Sequence, residues 1–306
     1  MLHLENTVVA DAASVGSDAG SIRRAISFIR GFLFAVLLSN CIANQAPKAF
    51  GDDLIPDKNL EAAVRKEVFE KRYNTEPLTA DDVKNISQVV GKGKGIKNLE
   101  GLQHCKSLMK IDLEKNEIVD LSPIKELKLL QSIDLASNKI ESLEPIAELV
   151  KSQYLQLSKN AIVDLGPLSK MSNLRSLYIA ENKIKSLDPI GGLKKMWSLD
   201  VLGNPIQDTA PLSQLKGLDS INLIGCGVKN LEFVRSLTPN IMMLNGNPIS
   251  DFGPLFEACE LDAKTERRFA PFLRLYLDDA TLKEASQATA IERLKSAGVK
   301  INPSNK

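Results

Sequence analysis

Asparagine recurs at a fixed interval of 22 residues through the middle of the chain, at Asn116, Asn138, Asn160, Asn182 and Asn204. The next step lands on Cys226, and the one after, a residue short, on Asn247. Apolar residues move in phase with this marker. Five positions before it stand Ile111, Ile133, Leu155, Leu177, Leu199, Ile221 and Met242. Three before stand Leu113, Leu135, Leu157, Ile179, Val201, Leu223 and Leu244, and two after stand Ile118, Ile140, Ile162, Ile184, Ile206, Val228 and Ile249. A fixed period of this length means one short structural unit repeated and stacked, each unit burying its apolar side against its neighbours. Val89, Ile96, Leu99 and Leu102 add a degenerate first unit, giving eight.

Each position in the unit has a physical cause. The apolar residues five and three before the marker alternate as in a short strand with every second side chain in the core. An asparagine in the following turn both donates and accepts, so it satisfies backbone groups that no strand pairs. Seven residues after the marker come Pro123, Pro145, Pro167, Pro189, Pro211 and Pro254, with Phe233 the exception. Proline fixes φ and suits the start of a helical turn. A unit of 22 residues leaves room there only for 3-10 or single-turn helices. Two positions depart from the pattern: Ser152 stands where other units carry leucine, and Thr209 replaces a leucine.

The frame L-x-L-x-x-N/C-x-L is that of leucine-rich repeats. The element L-x-P-[IL], seen as Leu121-Ser122-Pro123-Ile124 and Leu187-Asp188-Pro189-Ile190, resembles the 22-residue repeat of bacterial internalins. Leu54 to Leu102, with Pro77-Leu78-Thr79 leading into Gly95-Ile96, resembles the helical cap and first repeat of internalin-like proteins. The resemblance covers about two-thirds of the chain. It implies an α/β repeat solenoid: a leucine-rich-repeat horseshoe or rod with a parallel concave β-sheet, short helices on the convex side and helical caps at both ends. It also implies protein binding through the sheet. No immunoglobulin-like module, sortase motif or wall-binding repeat follows the repeats.

Outside the repeats the expected organisation is a leader over 1–46, a helical cap over 52–88, repeats over 89–256 and a helical C-terminal cap over 257–306. Arg23, Arg24 and Arg30 precede the apolar run Phe32 to Leu38, and small residues follow, which is the layout of a secretory signal. Cleavage after Ala43, lipidation at Cys41 in the lipoprotein-like Leu38-Ser39-Asn40-Cys41, and a retained anchor all remain open. In the first cap, Leu60, Ala63, Val64 and Val68 share a helical face behind an Asp57 N-cap. Thr79 and Asp82 form a capping-box-like pair. Beyond Leu255 the period dissolves into helical sequence with breaks near Pro271 and Asp278-Asp279. A last helix is expected from Thr281, carrying Leu282, Ala285, Ala288, Ile291 and Leu294.

Charge and composition narrow the function. With 39 basic and 38 acidic residues there is no basic excess with which to displace counterions, so nucleic acid is not an expected partner. Only His3 and His104 are present, and no phosphate-loop, dinucleotide, zinc-protease or nucleophile-elbow motif occurs. No cofactor, metal or catalytic residue is therefore expected. Gly91-Lys92-Gly93-Lys94-Gly95 falls at the first, degenerate marker turn and reads as loop geometry. Cys105, Cys226 and Cys259 read as buried or half-buried free thiols.

Binding residues are sought where the frame leaves side chains facing outward, six, four and two positions before each marker. Those positions carry Asp112, Asp134 and Asp200 among polar residues, and Tyr154, Tyr178, Leu202 and Ile224 among large apolar ones. Trp197, the single tryptophan, stands at the strand edge. Exposed aromatic and aliphatic groups beside serines are the chemistry of an interface centre. The expectation is an exported, monomeric, non-catalytic protein of the cell envelope or exterior, touching membrane only through its leader or a lipid. Its partner would be a protein. The competing expectation is a structural envelope lipoprotein, anchored at Cys41 and without a dedicated partner.

Overall fold

The computed structural model describes residues 53–303, apart from 266, 285 and 286. The leader and Cys41 lie outside these residues. Ten short parallel strands form one sheet in strict chain order. They are β1 (Gln88–Val90), β2 (Lys110–Asp112), β3 (Ser132–Asp134), β4 (Tyr154–Gln156), β5 (Ser176–Tyr178), β6 (Ser198–Asp200), β7 (Ser220–Asn222), β8 (Ile241–Met243), β9 (Arg274–Tyr276) and β10 (Lys300–Ile301). Register preserves the frame, with Ile111 beside Ile133, Leu155 beside Leu177 and Leu199 beside Ile221. The residues five before, three before and two after the markers are all buried, forming one continuous core along the stack.

The marker ladder has the bonding that its side chain dictates. Asn138 Nδ2 donates to Leu135 O of its own unit at 3.0 Å and to Leu113 O of the preceding unit at 3.0 Å. Its Oδ1 accepts from Ile118 N at 3.0 Å. Asn116, Asn160, Asn182, Asn204 and Asn247 repeat this pattern. Cys226 keeps only the donor half, its Sγ lying 3.1 Å from Val201 O. Ile206 N, left without a marker acceptor in the next unit, bonds Asn204 O at 2.9 Å instead. Just before each marker the chain turns through positive φ, at Lys115, Ser137, Lys159 and Glu181 and then at Gly203, Gly225 and Gly246.

On the side opposite the sheet, 3-10 turns fill the proline segments, from Ser122–Ile124 to Ala210–Gln214. Glu232–Ser236 forms the same turn with Phe233 in place of proline. Ser152 is fully buried, and its hydroxyl donates to Leu130 O at 3.1 Å, which explains how a polar residue holds a leucine position.

Helices α1 (Lys58–Glu67) and α2 (Ala80–Val83) cover the first repeat, with Leu60, Ala63, Val64 and Val83 buried. Asp57 caps α1 through Asn59 N and Leu60 N, and its other oxygen accepts from Lys97 N at 2.7 Å and Asn98 N at 3.1 Å. Thr79 and Asp82 form a full capping box.

The C-terminal segment departs from the all-helical expectation. Helix α3 (Gly253–Lys264) takes the place of a 3-10 turn, after which β9 and β10 continue the parallel sheet. Leu275 pairs with Met242, 33 positions earlier, and Ile301 with Leu275, 26 positions earlier. The units lengthen because full helices replace short turns. The helix expected from Thr281 is two: α4 (Asp279–Lys283), capped by Asp278, and α5 (Ala288–Ser296), which buries Ile291 and Leu294.

Candidate binding face

Strand alternation sends the residues six and four before each marker out of the sheet face opposite the core, and the chain beyond each strand places the residue two before beside them. Lys110 and Arg274 are exposed there, Ala136 and Ala180 are buried, and most others are half-buried. Asp112, Asp134, Tyr154, Tyr178, Asp200, Leu202 and Ile224 are all half-buried on this face, as the frame requires. Trp197 precedes β6 at the sheet edge with 58% of its surface exposed.

The row four before the marker has a structural duty that the periodicity alone does not reveal. The N–H two residues on is unpaired by the sheet, and the side chain accepts it. Asp134 Oδ1 takes Ala136 N at 3.1 Å, Gln156 Oε1 takes Ser158 N at 2.9 Å, and Asp200 Oδ1 takes Leu202 N at 3.0 Å. Asn222 does the same for Ile224 at 3.2 Å. Tyr178 breaks the rule, since its side chain carries no acceptor near the backbone. There Ala180 N donates to Ser158 Oγ of the preceding unit at 3.1 Å. The aspartates are therefore partly structural, whereas Tyr178 is an exception that the fold works around.

At the β2–β3 end, Asp112, Glu114 and Asp134 bring carboxylate oxygens within 4.8 Å of one another. Glu114 is ion-paired with Lys92 and Lys115, and the Lys92 ammonium foremost holds its carboxyl below the ordinary value. Burial pushes the Asp134 carboxyl up, and the charges of Asp112 and Glu114 add to this against the pull of the Ala136 N–H. Three carboxylates, one already neutralised, fall short of the 6–8 oxygens that calcium takes.

The face becomes apolar toward the C-terminal end. The Tyr154 and Tyr178 rings are 5.6 Å apart and tilted by 47°, within the range of favourable aromatic pairs. Burial, and then the charge of Asp134, raise the Tyr154 phenol above its ordinary value. Leu202 and Ile224 follow, then Ile241 and Met243 on β8 and Tyr276 on β9, all half-buried. Tyr276 escapes sequence reasoning because its strand falls outside the 22-residue period. The alternation Leu273, Leu275, Leu277 around it is the signal that could have found it.

Chemistry elsewhere is muted. Burial pushes the Cys105 and Cys259 thiols up to about 12 and that of Cys226 to about 11, so none is a nucleophile at neutral pH. The Gly91–Gly95 loop is bound by the first marker, Asn116 donating to Gly91 O at 2.9 Å and accepting from Lys94 N at 3.1 Å.

Residues 153–195 match the family of leucine-rich repeats, as two copies. No curated protein matches the chain significantly. Among solved structures, it is similar to an internalin C2 of Listeria monocytogenes, at 27% identity over 67% of this chain and 90% of the other, with a TM-score of 0.49. Internalin F of the same organism is 20% identical over 83% of this chain and 97% of its own, with a TM-score of 0.47. A leucine-rich-repeat protein of Leptospira interrogans is 19% identical over 66% of this chain and 62% of its own; its TM-score of 0.52 reflects a shared fold.

Proposed function

We infer that this chain, an internalin-like leucine-rich-repeat solenoid, is an exported, non-catalytic protein that binds a protein partner through its concave sheet face. The observation that carries the reading is that each unit from β4 to β9 places a large apolar side chain on that face, with Asp200 and Asn222 among them. Tyr154, Tyr178 and Met243 lie on β4, β5 and β8, and Leu202 and Ile224 just beyond β6 and β7, at positions where the repeat frame demands no apolar group; Tyr276 continues them on β9. At the position of Tyr178 the frame favours a hydrogen-bond acceptor, and the chain carries a tyrosine at the cost of moving that bond to Ser158. Aromatic anchors surrounded by small polar residues are what interfaces concentrate their energy in. Asp112, Asp134, Asp200 and Trp197 would border this patch. The basic and apolar leader supports export, with Cys41 as the alternative point of lipid attachment.

A photo-crosslinking amino acid placed at position 178 or at position 148, on the opposite side, tests the reading. Covalent capture of a protein from 178 and not from 148 is the expected result. Capture only from 148 would place the interface on the convex side.

A further inference from the structure

The concave face differs in chemistry between its two halves. At one end Asp112 and Asp134 are neighbours on β2 and β3. Each uses one oxygen on a local N–H, from Glu114 at 3.4 Å and Ala136 at 3.1 Å. Among the described residues neither forms an ion pair: Lys92 and Lys115 pair with Glu114, and the Lys92 charge reaches Asp112 and Asp134 only at longer range, too weakly to offset the burial that raises Asp134. Two half-buried carboxylates side by side repel one another, and a cation brought from outside relieves both the repulsion and the lost hydration. The Tyr154 and Tyr178 rings begin directly beyond them, and Leu202 follows. Each strand is about 4.8 Å from the next. Tyr178 is therefore about 10 Å from the Asp134 position, and Leu202, three strands away and two residues further along, about 16 Å. An extended chain covers this in roughly three to five residues, at about 3.3 Å each.

We propose that the partner presents an extended segment crossing these strands, with a lysine or arginine between Asp112 and Asp134 and, three to five residues away, apolar side chains on Tyr178 and Leu202. The carboxylate end fixes register and the apolar end supplies most of the affinity, a division of labour common at interfaces. An acidic segment would be repelled from the first half and left unpaired. This inference rests on the concave face being the binding surface.

A random peptide library displayed on phage, panned on the full chain, reads the preference directly, whatever the natural partner is. Enriched peptides should carry a basic residue three to five positions from leucine, phenylalanine or another large apolar residue. A synthetic consensus peptide should bind the chain about tenfold more weakly after the double change Asp112→Asn and Asp134→Asn. Asparagine retains the acceptor oxygen, so the local turns persist in that variant. The difference should shrink as salt rises, since screening weakens the ion pairs. Peptides without basic enrichment, or equal binding by the double variant, overturn the proposal, and so does the absence of any enriched pattern. Leu202→Arg separates the two levels of the argument. If it abolishes binding of peptides that lack a basic residue, only the cation preference fails; if selected peptides bind unchanged to both variants, the concave-face reading itself fails.

Discussion

The Ser158 hydroxyl accepts the Ala180 N–H at 3.1 Å, across one repeat boundary. In the units of Asp134, Gln156, Asp200 and Asn222 the side chain four before the marker performs this task within its own unit. Tyr178 cannot, so its neighbour does. Ser158→Ala should destabilise the fold by about 1 kcal/mol, the net worth of a hydrogen bond of this kind. Adding Tyr178→Asn to that variant should recover most of the loss, because asparagine restores the local acceptor. Urea unfolding of the single and double variants measures it; no recovery would show that the two residues are uncoupled.

The marker ladder makes a graded prediction. Asn204 is fully buried and makes both donor and acceptor bonds, whereas Cys226 only donates. Asn204→Ala should cost about 1–3 kcal/mol by orphaning buried backbone groups. Cys226→Ala should cost less, because Ile206 N has already found Asn204 O. Asn160, less buried than the other asparagine markers, should fall between the two. Equal losses at Asn204 and Cys226 would deny the acceptor half of the ladder its role.

Backbone strain can be read at the residue before each marker. Ser137 adopts φ 55° with a side chain, whereas Gly225 adopts φ 64° without one. A left-handed conformation costs a non-glycine residue roughly 1–2 kcal/mol, partly offset by the entropy glycine loses on folding. Ser137→Gly should therefore stabilise by about 0.5 kcal/mol. Gly225→Ala should destabilise by about 1 kcal/mol, and solely through the backbone, since an added Cβ would meet nothing within 4 Å. Opposite signs in thermal melts are the expected result.

Acid should loosen the N-terminal cap. Burial tends to raise the Asp57 carboxyl, but the N–H groups of Lys97, Asn98, Leu60 and Asn59 outweigh it and hold the group below its ordinary value of 3.8. A carboxyl depressed on folding contributes stability that is fully present above 3.8 and lost as pH falls through the lower folded value. Asp57→Ala should remove about 2 kcal/mol at neutral pH, combining a lost N-cap with the lost tie to Lys97. Protection of the α1 amides, taken relative to their intrinsic exchange rates at each pH, should fall on acidification of the natural chain and depend less on pH in the variant.

Much of the fold is legible in the sequence because its causes are local and repeated. The 22-residue step, one residue short at its last turn, sets the register of β2 to β8, the buried markers and the 3-10 turns. Asp57 and the Thr79–Asp82 pair announce the cap helices through their own chemistry. The C-terminal units read as helical because α3 enlarges the step to 33 residues, which hides the Leu273–Leu277 alternation from a search at fixed spacing. On the candidate binding face, placement of Tyr154 beside Tyr178 follows from strand geometry. What escapes is the hydrogen-bond duty of the aspartates, which depends on an N–H that the sheet leaves unpaired and on no periodic signal of its own. Tyr276 and the full length of the apolar run escape with the strand that carries them.

On the proposed reading, affinity resides in the apolar groups of the concave face. The direct measurement is the dissociation constant of the partner captured at position 178, for the natural chain and for Tyr178→Ala, Trp197→Ala and Glu148→Lys, each with its melting temperature. Tyr178→Ala and Trp197→Ala should each weaken binding by about 2 kcal/mol or more. Their melting temperatures should barely change, as should both quantities for Glu148→Lys, whose site is exposed on the opposite side. Full affinity in both aromatic variants, with binding lost in Glu148→Lys, would contradict the account.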